Sequence, residues 1–337
     1  MPTASIVVPA YNAEATLAET LASLQAQTYD AFEIIIVDDG SQAATTKIAC
    51  AHQCDPRVRL VQQANRGLAG ARNTGIAVAR GAFIGFCDAD DLWMPEKLAA
   101  HIHHLKAEPD VGVSYSGSAL IDEAGCAMGI KQAPRLKDVT AAHVLNRNPI
   151  GNGSAAVIRK TVLEALAYRP SFETQRDWVF DETFRQSEDI ECWMRLMLTT
   201  DWQIEGVPGL LTHYRINAGG LSAALDRQLE AWERMVAKLR PFNPEFFAQH
   251  EPSARAYQLR YLARRAVTNH DRDTAWELFA RSVQESLRPV LEEPMKSFST
   301  FAAATVEPVC MTAPKISNCR MFMAFLENLP LTEYKRY

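Results

Sequence analysis

The chain has 337 residues, of which 47% are hydrophobic and 22% charged, as in an ordinary globular protein. This length suits a large α/β domain with a smaller additional lobe. The 35 Lys and Arg residues stand against 40 Asp and Glu residues, and the net charge of -5 argues against a broad nucleic-acid-binding surface.

Cysteine usage and hydropathy indicate where the protein works. The seven cysteines are odd in number and scattered, and Cys50 and Cys54, which lie close together, are interpreted as one face of a helix. Such usage fits a reducing compartment. The N-terminus lacks a basic region followed by an apolar core, and no apolar run reaches the length of a membrane span. We therefore expect a cytoplasmic protein, and peripheral contact with the inner face of the membrane stays open.

The first predicted strand, residues 5–9, is a short apolar run that ends at Pro9, which cannot donate to a sheet ladder. A helix with leucines at helical spacing follows it. Between the two stand Tyr11, Asn12 and Glu14. Asn12 suits a helix N-cap and Glu14 a favourable first-turn anion, so their positions also have a structural explanation.

The second predicted strand, residues 32–37, runs directly into Asp38 and Asp39. The pair suits an Asx turn that leads into the next predicted helix, residues 45–54. It equally places two carboxylates at the end of a buried strand, where ligands bind in open α/β sheets.

A third strand, residues 58–61, leads to a predicted helix rich in glycine and alanine, residues 65–75. Each glycine inside a helix costs up to about 1 kcal/mol relative to alanine, so its three glycines need a packing or functional reason. Arg66 and Arg72 in this segment carry fixed positive charge that suits phosphate oxygens. Arg72 equally suits an ion pair with a nearby carboxylate.

The fourth predicted strand, residues 83–87, is apolar on both faces and then breaks into Asp88, Asp90 and Asp91. A short continuous apolar run predicts a strand buried in a parallel sheet. Clustered carboxylates repel one another unless a cation neutralises them, and hard oxygen ligands suit Mg²⁺ or Mn²⁺. The alternative is an Asp-rich turn that closes the strand.

The alternation of strands and helices to this point predicts a parallel, doubly wound sheet joined by right-handed crossovers. After a helix that begins near residue 92 and ends near 107, the pattern changes to strands at 111–121, 126–130, 155–159, 202–207 and 210–215. Ser187-Glu188-Asp189 opens a further helix, and a glycine pair, Gly219-Gly220, closes the last strand.

Beyond about residue 222 the character shifts to helices, predicted at 224–239, 254–270 and 274–285, and no motif is recognised in the tail from 294 to 337. We therefore predict a domain at residues 1–222, with a nucleotide-binding half at about 1–108 and an acceptor half at about 109–222. Residues 223–337 would form a helical C-terminal region of unknown role.

In a doubly wound sheet, the carboxylates after strands two and four and the arginines after strand three share one edge. A cation at Asp90 needs anionic oxygens to complete its shell, and a diphosphate supplies them, with Arg72 and helix N-termini holding the rest. Asp39 would accept hydrogen bonds from a base or a ribose. Neither phosphate-loop motif is present, so this pattern predicts a nucleotide-diphosphate site of another kind.

At these positions the chain resembles family 2 of the inverting glycosyltransferases, which have the GT-A fold, a Rossmann-like and mostly parallel sheet flanked by helices. The resemblance covers about residues 4–215 and implies a nucleotide-diphosphate sugar donor and a divalent metal. Its segments, as they stand here, are Pro9-Ala10-Tyr11-Asn12, Val37-Asp38-Asp39-Gly40-Ser41, Asn65 with Gly67 to Asn73, Asp88-Ala89-Asp90-Asp91 and Glu188-Asp189.

The resemblance implies which residues bind the nucleotide. Pro9, Tyr11 and Asp39 would form the wall that holds the base and ribose, with Glu14 close by. Arg72 would lie near the nucleotide and its phosphates. UDP is the expected nucleotide, while guanosine and thymidine donors stay open.

The resemblance also implies which residues carry the chemistry. Asp90 would bind Mg²⁺ or Mn²⁺, Asp88 would lie nearer the sugar nucleotide, and Asp189 would be the general base. Residues 151–154 would belong to the acceptor side. The acceptor would be a saccharide or a lipid-linked saccharide, and the oligomeric state is open.

Other classes of protein fit less well. A receiver domain has its Asp pair after the first strand, which here ends in Pro9. A sugar-phosphate nucleotidyltransferase usually carries a glycine-rich basic loop there. A glycosidase has no need of a diphosphate site. A non-catalytic module that binds nucleotide sugars stays open.

Overall fold

The computed structural model describes residues 1–217 and 225–305. Its first elements are β1 (Ala4–Ala10), α1 (Leu17–Gln25), β2 (Phe32–Asp38), α2 (Ala43–Ala51), β3 (Val58–Gln62), α3 (Gly67–Val78), β4 (Phe83–Phe86), β5 (Leu92–Trp93) and α4 (Lys97–Ala107). The next are β6 (Val111–Ile121), β7 (Ala127–Gln132), α5 (Ala141–Asn146), β8 (Ala156–Arg159), α6 (Lys160–Leu166), α7 (Glu188–Thr199) and β9 (Gln203–Arg215). The last are α8 (Leu225–Leu239), α9 (Pro244–Thr268), α10 (Arg272–Glu285), α11 (Arg288–Glu292) and α12 (Pro294–Thr305).

Contacts within the chain define two compact units. Among the described residues, the first comprises 1–144, 148–217 and 237–242, and the second comprises 145–147, 225–236 and 243–305. The predicted glycine pair Gly219-Gly220, the predicted domain boundary at 222 and the tail beyond residue 305 lie outside the described residues.

In the described part of the first unit, nine strands form one sheet in the order β3-β2-β1-β4-β8-β6-β9-β5, with β7 paired to β6. The strands β1 to β4 pair in parallel, as the alternation of strands and helices predicted. β8 then pairs antiparallel with β4 and β6, while β6 and β9 are parallel. The predicted fold class is confirmed, with a second half of the sheet that mixes strand directions.

Helices cover both faces of β1, which is why every one of its residues is buried. Ile6 and Val8 pack in a cluster with the leucines of α1. Val7 lies on the other face, against α3, where a Cβ on Gly75 would stand 2.2 Å from Val7 Cγ1. The glycine in this helix therefore has a packing reason, because it lets the helix approach the strand.

The second half of the sheet departs from the predicted elements. β9 is one strand where two were predicted, because the chain continues through Gly209 at φ +111° with a shifted register against β6. Leu92 and Trp93 form the short strand β5, which pairs with β9, and do not begin a helix. α5 and α6 were not predicted.

In the second unit, α9 begins at Pro244, well before the predicted start at 254, and contains Pro252 in its interior. Apolar residues of α9, α10 and α12 form a common core that includes Leu259, Phe279 and Phe301. α12 lies in a segment where no motif was recognised. No helix within residues 1–217 and 225–305 combines the length and apolar character needed to cross a bilayer.

Candidate active site

The carboxyl ends of β1, β2 and β4 lie side by side, because these strands are neighbours and run parallel. This edge of the sheet therefore collects the residues at and just after the end of each strand, which are 9–14, 38–41 and 88–91. The sequence predicted this arrangement from the order of the elements alone.

Pro9, Tyr11 and Glu14 come from the first of these segments. Pro9 is buried in β1, while Tyr11 is 56% exposed and its ring is accessible to a ligand. Glu14 is exposed, and a main-chain hydrogen bond favours its charged form and lowers its pKa, together with a hydrogen bond from Thr45 Oγ1 at 2.9 Å.

Asn12 joins the loops that follow β1 and β2. It adopts a φ of +48°, its main-chain N–H donates to Ser41 Oγ, and its side-chain oxygen accepts from the N–H of Gln42 at 2.9 Å. The N-cap position of α1 is Thr16, so Asn12 does not cap that helix. Its left-handed backbone is instead fixed by the neighbouring loop.

Asp39 is buried, and its carboxylate lies at the N-terminus of α3. Oδ1 accepts from Gln63 Nε2 at 2.6 Å and from the N–H of Arg66 at 2.8 Å, and Oδ2 accepts from the N–H of Gly67 at 2.8 Å. These bonds satisfy main-chain donors that the helix leaves unpaired. Asp39 therefore positions α3 against β2, whichever ligand it also meets.

The acidic loop after β4 is built around the fully buried carboxylate of Asp91. This carboxylate accepts from Ser154 Oγ and from the N–H of Arg215 at 2.9 Å. Ser154 Oγ in turn accepts from the N–H of Asp88. Asp91 is thus the internal anchor that ties the loop to the end of β9.

Asp90 is half-buried and is held from β9 and the residues after it. Its main-chain carbonyl accepts from Arg215 Nε at 2.8 Å, and its Oδ2 accepts from Asn217 Nδ2 at 2.7 Å. Burial raises the pKa of Asp90, and the neighbouring Asp88 raises it further. A carboxylate in this position gains from a nearby cation.

Arg72 connects the acidic loop to the start of α7. It is 2% exposed, its Nη2 lies 2.9 Å from Asp88 Oδ1, and its Nη1 lies 2.7 Å from Glu188 Oε1. Burial raises the pKa of Glu188 to about 7, although Arg72 favours its charged form. The predicted alternative for Arg72, an ion pair with a nearby carboxylate, is what the structure contains.

Asp189 lies in the first turn of α7, next to Glu188. Ser187, which precedes α7, adopts a left-handed φ of +63°, a conformation that is uncommon for non-glycine residues. Asp189 Oδ1 accepts from the N–H of Ile190, and Oδ2 accepts from Asn148 Nδ2 at 3.1 Å. Burial raises the pKa of Asp189, and Arg72 opposes that shift.

Residues 151–154 pack directly against Arg72 and Asp88. Asn152 accepts from the N–H of Ser154 and donates to Ser118 Oγ. A Cβ on Gly153 would lie 2.2 Å from Arg72 Nη2, so glycine leaves the room that the guanidinium occupies.

Tyr214 lies near both the acidic loop and Asp189. Burial raises the pKa of Tyr214, and so do the carboxylates of four neighbours, which are Asp91, Asp88, Asp90 and Asp189. Residues 1–217 and 225–305 contain no group of three or more His, Cys, Asp and Glu side chains arranged to hold a metal. A cation here would therefore need oxygens from a ligand as well as from the protein.

Sequence reasoning missed four residues that shape the site, which are Asn148, Tyr214, Arg215 and Asn217. The sequence carries a weak signal for the first, since Asn148 precedes Pro149 in a turn-like pair. The other three lie at or just after the end of β9, and the pairing of β9 with β6 could not be predicted from the local sequence.

Several known proteins resemble this chain in sequence. Residues 5–166 match the family "Glycosyl transferase family 2". An uncharacterised glycosyltransferase of Bacillus subtilis, EpsJ, is 48% identical over 92 residues, which are 27% of each chain. The UDP-Glc:alpha-D-GlcNAc-diphosphoundecaprenol beta-1,3-glucosyltransferase WfgD of Escherichia coli is 26% identical over 67% of this chain and 82% of its own. The chain spans about a quarter of the length of the first two curated relatives it matches.

Two solved structures share the fold. TarS 1-349 of S. aureus has a TM-score of 0.58 and 19% identity, with 90% of each chain covered. The mannosyltransferase PcManGT of Pyrobaculum calidifontis, in complex with GDP-Man and Mn²⁺, has a TM-score of 0.56 and 20% identity, with 98% of this chain and 88% of the other covered. These structural likenesses confirm the predicted fold, and the family match with the curated relatives confirms the predicted family and enzyme class: residues 5–166 form a glycosyltransferase family 2 domain.

Proposed function

We propose that the protein transfers a sugar from a nucleotide-diphosphate sugar, with UDP as the expected nucleotide, to a hydroxyl of a saccharide or lipid-linked acceptor, with inversion at the anomeric carbon. The observation that carries this proposal is the bridge from Asp88 through Arg72 to Glu188, next to Asp189. It joins the acidic loop to the predicted base, and a leaving diphosphate and an attacking hydroxyl need these groups near one another.

Mg²⁺ or Mn²⁺ fits the acidic loop, and we propose Asp90 as its protein ligand. The donors are hard carboxylate oxygens, and the raised pKa of Asp90 reflects a buried negative charge beside a second one. Mg²⁺ commonly takes one or two carboxylates and completes its shell with phosphate oxygens. When bound, such an ion stabilises the charge that develops on a departing diphosphate.

Asp189 is proposed as the general base. It accepts the proton of the acceptor hydroxyl while the hydroxyl oxygen bonds to the anomeric carbon and the bond from that carbon to the diphosphate oxygen breaks. A base on the face opposite the leaving group gives inversion. Burial raises the pKa of Asp189, which makes its carboxylate a stronger base than a fully solvated aspartate.

The remaining predicted residues are proposed to bind the donor. Pro9, Tyr11, Glu14 and Asp39 would hold the base and ribose at the carboxyl ends of β1 and β2, and Asp88 would face the sugar. Arg72 is proposed to act near the phosphates through the carboxylates that it holds. The name of the WfgD relative supports a UDP-sugar and a diphospholipid acceptor, whereas the PcManGT complex keeps a guanosine donor open. We place the reaction in the cytoplasm, at the inner face of the membrane for a lipid-linked acceptor.

Release of nucleoside diphosphate tests the proposal. The full chain is incubated with UDP-Glc, UDP-GlcNAc or GDP-Man, a lipid-linked or free saccharide acceptor, and Mn²⁺, Mg²⁺ or EDTA. We expect release with one donor and its loss in EDTA. Asp189→Asn should lower turnover by about 10²–10⁴-fold and leave donor affinity nearly unchanged.

Two further variants complete the test. Asp90→Ala should weaken donor binding in the presence of Mn²⁺, which calorimetry with and without the ion measures. Asp201→Asn is the matched control, since Asp201 is exposed after the far end of α7. Turnover of Asp189→Asn close to that of wild type and of this control would remove Asp189 from the reaction.

A further inference from the structure

The amide of Asn148 lies between the predicted base and its own loop. Its Nδ2 donates to Asp189 Oδ2 at 3.1 Å, and its Oδ1 accepts from the N–H of Ile150 at 3.0 Å. A carboxylate can only accept and a main-chain N–H can only donate, so these two neighbours fix which way the amide points. Asn148 therefore presents a defined N–H donor to Asp189.

Both oxygens of Asp189 are held by N–H donors. The donor to Oδ1 is the N–H of Ile190 in the same helix, whereas the donor to Oδ2 comes from a segment 41 residues away in sequence. Within the part of the chain that the structure describes, Asn148 provides the side-chain hydrogen bond to this carboxylate. A carboxylate held at both oxygens keeps one orientation, as bases do when a third group orients them.

Several charged or titratable groups surround Asp189 in addition to the Asn148 amide. Glu188 precedes it in α7, Cys192 lies one turn along the same helix, and Arg72, Asp88 and Tyr214 face it from α3, the acidic loop and β9. Arg72 favours the charged form of Asp189, but its terminal nitrogens are bonded to Asp88 and Glu188. Asp88 and Glu188 oppose that charge.

We propose that Asn148 is a positioning residue for sugar transfer, which orients the carboxylate of Asp189 toward the acceptor hydroxyl and favours its ionised form. This inference rests on the proposed function, in which Asp189 is the base. It assigns a task to the loop between α5 and the 151–154 segment, which sequence reasoning left without a role.

Replacing Asn148 by alanine removes the donor. We expect kcat to fall roughly 10- to 100-fold, since small displacements of a reacting group carry costs of this size. The KM for the nucleotide sugar should stay within about 3-fold, because the hydrogen bonds of this amide go to Asp189 and Ile150 and not to a residue proposed to bind the donor. The acidic limb of the kcat profile should move to higher pH, since loss of a hydrogen bond to the charged form raises the pKa of a carboxylate.

A second variant keeps the fold of the loop. Asn148→Asp retains an oxygen that accepts from Ile150 but sets a carboxylate against Asp189, so the acidic limb should move further than in Asn148→Ala. Asn146→Ala is the matched control. Asn146 ends α5, and its buried Oδ1 has no hydrogen-bond partner in the described residues, so the same truncation there should leave kcat and the acidic limb unchanged.

The assay uses the full-chain enzyme, the sugar donor identified by the release assay and a saturating acceptor. It gives kcat, KM and the pH profile for each variant. The inference is overturned if Asn148→Ala keeps wild-type kcat, or if kcat falls with no movement of the acidic limb in either variant. Wild-type turnover of Asp189→Asn would instead refute the proposed function. An inactive Asp189→Asn beside an unaffected Asn148→Ala would refute this inference alone.

Discussion

Substitution of Arg72 by methionine tests how strongly one buried guanidinium holds the site together. Arg72 donates to Asp88 at 2.9 Å and to Glu188 at 2.7 Å, and it lies over the rings of Phe86 and Phe180. Methionine preserves an apolar stem among these rings but leaves two carboxylates without their cation. We therefore expect a loss of stability far larger than the one caused by removing a surface ion pair.

The expected size follows from burial. Removing one partner of a buried ion pair costs about 3–5 kcal/mol. Each kcal/mol lowers the melting temperature of a domain of this size by about 2–4 °C, so Arg72→Met should melt about 6–20 °C below wild type. Arg169→Met is the matched control, since Arg169 pairs with Asp177 at the same 2.7 Å but with side chains 50% and 56% exposed. Exposed pairs contribute at most about 1 kcal/mol.

Differential scanning calorimetry of the full chain at two pH values gives the result. Burial already raises the pKa of Glu188 to about 7 beside Arg72, and loss of the arginine raises it further. Glu188 is therefore neutral at pH 5 in the folded variant. The difference in melting temperature between wild type and Arg72→Met should consequently be smaller at pH 5 than at pH 8. If Arg72→Met lost no more melting temperature than Arg169→Met at pH 8, this reasoning would be refuted.

Two other substitutions probe the frame around the site. Gly75→Ala should lower the melting temperature, because overpacking against Val7 costs about 1–3 kcal/mol. This cost outweighs the gain of up to about 1 kcal/mol in helix propensity. An unchanged or higher melting temperature would contradict the close approach of α3 and β1. Burial lowers the pKa of Lys97 from 10.5 to about 7, so the folded protein loses this proton at a lower pH than the unfolded chain does. Wild type should therefore gain thermal stability relative to Lys97→Met as pH rises from 7 to 9, and parallel stability curves for the two proteins would show that Lys97 is not desolvated.

The first half of the fold could be predicted because its signals are local. The runs that became β1, β2 and β4 are mostly apolar and buried along their whole length, and each has a proline or an aspartate near its carboxyl end. Parallel strands joined by helices can follow few topologies, so the order of elements was enough to bring Asp39 and Asp88 to one edge.

The second half could not be predicted in the same way, because its structure depends on partners distant in sequence. Val207-Pro208-Gly209 has the composition of a turn, and only the long pairing of β9 with β6 carries the strand through it. Similarly, Pro252 suggests a helix boundary, yet α9 continues through it. Local propensity was outweighed by tertiary packing in both places.

The same limit applies to the candidate site. The carboxylates of the acidic loop were visible as a motif, but the partners that hold them were not. Arg215 reaches Asp90 from 125 residues away, and Arg72 reaches Glu188 across 116 residues. Sequence motifs therefore predicted which groups carry the chemistry, and the structure shows which buried residues hold them in place.

The distribution of charge supports the proposed cation more strongly than the motif alone did. Two cationic features were expected to hold a diphosphate, namely Arg72 and the helix N-termini. In the structure Arg72 is bonded to Asp88 and Glu188, and the first N–H groups of α3 are bonded to Asp39. Arg72 and the N-terminus of α3 are thus already neutralised by carboxylates of the protein, so neither offers a diphosphate its full charge. A divalent ion at Asp90 would offset the repulsion between the acidic loop and a diphosphate, which is why donor binding should depend on the metal.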